Sequence, residues 1–173
     1  MAPPRKPPRW VQWTVVPLLV LVPIGYVIIS AEQSRDGGEE KQKQAAATTI
    51  THYWPTRVQR RIYEIPIPGG STQVGYLETN SWATSTLYVQ FQTSAGGLDT
   101  FLAQVGTSRE ALKDGTVTVT AKQQRTVRWA FAAGDDWAGV KLTQHGDKPD
   151  HRITVDLKNP NYPMVYVVST MNF

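Results

Sequence analysis

The chain has 173 residues, no cysteine and a formal net charge of +4, which excludes disulfide stapling and structural zinc held by thiolates. The cations Arg5, Lys6 and Arg9 crowd the extreme N-terminus, so the remainder is only weakly basic and carries no general nucleic-acid footprint. The absence of cysteine argues neither for nor against an oxidising compartment.

Residues 1–9 are rich in proline and basic side chains and lack an apolar period, as expected of a short cytoplasmic stub. Residues 11–30, VQWTVVPLLVLVPIGYVIIS, are uncharged. At about 1.5 Å per residue a helix over them reaches about 30 Å, the thickness of a hydrocarbon core. Residues 10–31 are therefore expected to be a transmembrane signal-anchor and the lipid bilayer a partner. Cations precede this run and the next one, Arg35, follows it among acids, which places the N-terminus in the cytoplasm and the C-terminal domain outside the cell membrane. Pro17 and Pro23 predict a kink, while Trp10, Trp13 and Tyr26 suit the two headgroup belts. The tripeptide Ile29-Ser30-Ala31 also offers a signal-peptidase site, but cleaved signals have shorter cores of about 7 to 15 residues, so an uncleaved single-pass anchor is the reading adopted.

Residues 32–49 turn charged and polar and read as a stalk, with Glu39 and Lys43 at helical i,i+4 spacing. Residues 50–173 form the extracytoplasmic domain, large enough for a core without metal or disulfide. Its basic cluster Arg57, Arg60, Arg61 reads either as a solvated strand edge or as a contact for anionic lipid or wall polymer. A second cluster, Lys122, Arg125 and Arg128 beside Trp129, has the composition of a single-strand nucleic-acid binder, but the external address leaves no nucleic-acid partner.

Strands are expected at 62–67, 72–80, 85–93, 126–132, 151–157 and 164–170, from β-branched and aromatic residues between Gly, Pro, Asn and Asp punctuation. Val117 and Val119 mark a further short one. In 85–93, Leu87, Val89 and Phe91 alternate with Thr86, Gln90 and Gln92; in 151–158, Ile153, Val155 and Leu157 alternate with Arg152, Thr154, Asp156 and Lys158. Each pattern predicts one buried face. The nearly continuous apolar run at 164–168 predicts a central strand covered on both sides, joined to its predecessor by the turn at 159–163. Leu98, Phe101, Leu102 and Val105 recur at helical spacing before Gly106, so 97–105 is expected to be an amphipathic helix. Thr107 and Glu110 match a capping box opening a further short turn. The expected class is α+β, an antiparallel sheet with one amphipathic helix packed on a face, a β-sandwich being the alternative.

Two loops carry candidate chemistry. Asp135, Asp136 and Trp137 lie between Gly134 and Gly139, where carboxylates could hydrogen-bond sugar hydroxyls while the indole stacks on the ring. A hairpin tip folding Trp137 over the core would give the same letters. Trp82 is a second candidate contact. His145, Asp147, Asp150 and His151 pair imidazole with carboxylate, as a divalent metal requires, but read equally as a polar loop; no metal and no cofactor is expected. No nucleophile elbow, phosphate loop or His-Glu-x-x-His helix is present, which counts against the commonest enzyme classes.

The strand Leu87-Tyr88-Val89-Gln90-Phe91, the helix Gly97-Leu98-Asp99-Thr100-Phe101-Leu102, Val105-Gly106 and Leu112-x-x-Gly115, all within residues 82–115, resemble small membrane-anchored proteins of actinobacteria, Streptomyces-like and of uncharacterised function. Ile153-Thr154-Val155-Asp156 and Val165-Tyr166-Val167-Val168 extend the resemblance over the outer domain. It implies a Gram-positive envelope with the domain facing the wall, and carries no catalytic residue. The leading functional expectation is a non-enzymatic anchored domain that binds cell-wall polymer or another membrane protein. An anchored wall hydrolase and a scaffold subunit of a membrane complex are the alternatives.

Overall fold

The computed structural model describes Val22 and residues 49–173. The expected stub, the membrane run apart from Val22 and the stalk up to residue 48 lie outside the described residues. Among those described, no helix is long and apolar enough to cross a membrane. Ala47–Phe173 forms one compact unit, and the buried residues of both its apolar clusters come from within it.

Six antiparallel strands make a single sheet, so the class is α+β and the sandwich alternative is set aside. In chain order they are β1 (Thr72–Asn80), β2 (Thr84–Gln92), β3 (Lys113–Asp114), β4 (Trp137–Leu142), β5 (Asp150–Asp156) and β6 (Met164–Asn172), and they lie side by side as β1-β2-β6-β5-β4-β3. The two hairpins legible in the alternation form as expected, β1 on β2 and β5 on β6. β6 is central, with Val165 and Val167 in the core of one face and Val168 in that of the other.

Among the described residues 49–173, three helices accompany the sheet: α1 (Arg57–Ile62), α2 (Ala95–Gln104) and α3 (Ala121–Val127). α2 is the expected amphipathic helix. Ser94 caps it by accepting from Gly97 N–H at 3.1 Å, and Leu98, Phe101 and Leu102 are fully buried on the first face. That stripe is consumed by the core and leaves no apolar docking surface on α2.

The strands expected at 62–67 and 126–132 are not formed. α1 begins instead at a reciprocal capping box, Thr56 N–H donating to Gln59 Oε1 at 2.9 Å and Gln59 N–H to Thr56 Oγ1 at 3.2 Å. The same Thr-x-x-Gln box, Thr120 with Gln123, opens α3, so the Arg57–Arg61 cluster lies on a helix and not on a strand edge. Beyond α1, Pro66 and Pro68 forbid ladder donors, yet Ile65 and Ile67 still bury against the first face. Tyr63 pins this segment, its hydroxyl donating to Glu78 Oε1 at 2.7 Å and meeting Ser85 Oγ. Burial, with Glu78 beside it, pushes that hydroxyl up to about 12. The Thr107/Glu110 box is replaced by a single 3-10 turn, Arg109–Ala111, with Ser108 at its N-cap.

The second face is covered by residues 115–133, which the sequence placed partly in strands. Thr154, expected to face outward, is fully buried under this cover, where Thr118 N–H donates to its Oγ1 at 3.0 Å. Gly139 permits the crossing: a Cβ there would stand 2.6 Å from Thr116 O and 2.9 Å from Thr118 Cγ2.

Candidate functional site

The second face leaves one corner of the sheet open, and a groove of about 410 Å³ lies there between the strands and α3. Its floor follows from strand register. Thr79 of β1 pairs with Thr86 of β2, and Thr86 pairs with Thr170 of β6, so three threonines stand in a row across three strands. One step inward on the same side of β2 is Tyr88, which lines the groove together with Thr126 and Thr79. Burial raises its pKa above the usual phenol value, which keeps the hydroxyl neutral and able to donate.

The outer wall is α3, which contributes Lys122, Gln123 and Thr126, with its capping Thr120 behind them. The rim is the β1–β2 turn. Ser81 N–H donates to Thr84 O at 2.8 Å and Thr84 N–H to Ser81 Oγ at 3.2 Å, and both residues line the groove. Between them Trp82 stands fully in solvent, at 101 % relative exposure. Exposed Phe173 lies beside it, its N–H donating to Ala83 O at 3.0 Å.

The lining is thus hydroxyls and amides with one charge, Lys122. Each hydroxyl both donates and accepts, which suits a neutral or weakly anionic polyhydroxylated chain. The indole adds a flat apolar platform with a polar edge.

The other candidates fall elsewhere. Trp137 is the first residue of β4 and only 8 % exposed. Its Nε1–H donates to Ala132 O at 2.8 Å, and its ring meets Phe131 edge-on at 4.9 Å, so the indole packs beneath the cover of the second face. Asp135, Asp136 and Trp137 do come together, lining with Asp114 a separate depression of about 440 Å³. Asp135 lies 3.9 Å from Lys158 Nζ.

His145 and Asp147 are exposed in the loop before β5, whereas His151 is fully buried on the first face. Its Nε2 is 3.0 Å from Tyr63 O and its Nδ1 is 3.3 Å from Gln144 Nε2, which fits the tautomer with the proton on Nε2. Asp150 is engaged locally, accepting from Gln144 N–H at 2.9 Å. No group of three or more ligating side chains able to hold a metal occurs among the described residues.

No family model, curated protein or solved structure matches the chain. The groove is therefore interpreted from its own chemistry. The sequence singled out Trp82 at its rim as a contact and Lys122 in its wall only as part of a basic cluster.

His151 supplies a pH prediction. Burial lowers its proton affinity below the ordinary value of 6.5, so the unfolded chain takes up the proton first as the medium acidifies. The stabilisation is complete above about pH 6.5 and falls as pH drops below it. In His151→Gln, the loss of melting temperature between about pH 7 and pH 5 should shrink. An identical loss in wild type and variant would assign the acid sensitivity to other groups.

Proposed function

We propose that the chain is a non-enzymatic, single-pass membrane protein whose outer domain captures a glycan polymer of the cell envelope. The uncharged run at 11–30 and the cations before it support the anchor and its orientation. The observation that carries the binding reading is Trp82, exposed at the rim of a groove lined by hydroxyl groups. A tethered domain needs only modest intrinsic affinity, because anchoring raises its effective concentration near the polymer. The resemblance to actinobacterial anchored proteins is consistent with a wall as the surface faced.

The test is binding of domain Ala47–Phe173 to purified wall glycan, with Trp82→Ala as the decisive variant. Truncating an aromatic anchor of a binding site typically costs more than tenfold in affinity. Trp82 touches no core residue cluster, so its melting temperature should stay at the wild-type value. Unchanged binding in Trp82→Ala would remove the groove from the account. Release of soluble wall fragments by the domain would replace capture with hydrolysis.

A further inference from the structure

Four large apolar side chains are exposed within residues 53–62: Tyr53, Trp54, Val58 and Ile62. The last two are among the most exposed of helix α1, at 66 % and 51 %. Val58/Ile62 and Arg57/Arg61 are i,i+4 pairs on adjacent lines of α1, so they share one outward arc. The opposite side is fixed to the sheet, Gln59 Nε2 donating to Glu78 Oε2 at 2.7 Å.

The charge on this arc has one sign. No acid occurs between Thr51 and Tyr63, and neither Arg57 nor Arg61 forms an ion pair among the described residues. The Arg60 guanidinium lies over the Trp54 ring, 5.6 Å from its centroid, and Arg60 Nε is buried without a hydrogen-bond partner. Arg60 and Arg61 continue with Lys148 around a shallow depression that also includes Glu64.

We infer that the outward arc of α1, with Tyr53 and Trp54, docks on an anionic lipid surface. The rings and aliphatic side chains enter the headgroup boundary while the arginines meet lipid phosphates, as in amphipathic segments that lie on a membrane. The inference rests on the proposed anchor. Residues 31–48 separate the apolar run from the domain and extend at most about 60 Å when fully drawn out, so the arc begins within reach of the same bilayer. Docking would hold the domain in a fixed orientation on the membrane, independently of its groove.

The experiment sediments domain Ala47–Phe173 with vesicles of phosphatidylcholine alone or mixed with phosphatidylglycerol. The domain should pellet with the anionic vesicles and weakly with the neutral ones. Arg57→Gln/Arg61→Gln should weaken anionic binding roughly thirtyfold, and Val58→Ser/Ile62→Ser should lower binding to both vesicle types. Both variants should keep the wild-type melting temperature, since these side chains are exposed. Failure to pellet with anionic vesicles, or pelleting unchanged in both variants, overturns the inference. So does capture of a protein through this face without vesicle binding. Alkaline extraction of membranes carrying the full chain reports on the anchor alone. A chain that resists extraction while its domain ignores vesicles retains the anchor and loses the docking arc.

Discussion

Phe101→Ala should destabilise the domain by about 3–5 kcal/mol, a large share of the roughly 5–15 kcal/mol that holds a domain of this size folded. The ring is fully buried between α2 and the sheet and meets Phe91 edge-on at 5.2 Å. Its neighbours Leu98 and Leu102 are equally enclosed, and fixed strands on one side and a capped helix on the other prevent collapse into the vacated space. The aromatic pair adds about 0.5–1.5 kcal/mol beyond area burial. Urea unfolding with a common slope measures the loss. Gln104→Ala, on the exposed side of α2, should stay within about 0.5 kcal/mol. A Phe101→Ala loss no larger than that control would show that α2 does not form the first-face core.

The first face was legible in the sequence because it is built from long periodic elements. Leu87, Val89 and Phe91 alternate, and Leu98, Phe101 and Leu102 recur at helical spacing, so local pattern and burial agree. The second face was not, because its cover is short and irregular. α1 and α3 are too short to show an apolar period, and their strongest local signal is a Thr followed three residues later by Gln, a pattern no stronger in the sequence than Thr107/Glu110, where no such box forms. β4 was hidden by Gly134, Asp135 and Asp136, which read as loop, and by Gly139, which sits mid-strand because residues 116–118 pass over it. Thr154 alternated correctly but met a cover that alternation does not report. The groove was less legible still. Thr79, Thr86 and Thr170 are neighbours only through the pairing of β2 with both β1 and β6, a register that no local window contains.

Trp129→Ala should cost about 3–5 kcal/mol and should also abolish binding in the groove. Trp129 is buried, with Tyr166 edge-on at 5.1 Å, Tyr88 at 6.1 Å and Phe131 at 6.3 Å. Its Nε1–H donates to Gln90 Oε1 at 2.7 Å. The residue follows Arg128, whose left-handed φ of 58° ends α3, so the indole fastens the end of that helix to the sheet. With it gone, α3 loses its hold, and Lys122, Gln123 and Thr126 no longer stand opposite the threonine row. Trp129→Phe should restore most of the stability, short of the roughly 1 kcal/mol of the lost hydrogen bond. Hydrogen exchange across 116–133, equilibrium unfolding and glycan binding on the same variants separate the roles: Trp82→Ala should lose affinity alone, Trp129→Ala affinity and stability together. Glycan binding that survives Trp129→Ala while exchange across α3 accelerates would show that the helix is no wall of the site, leaving the threonine row and Trp82 to hold the ligand by themselves.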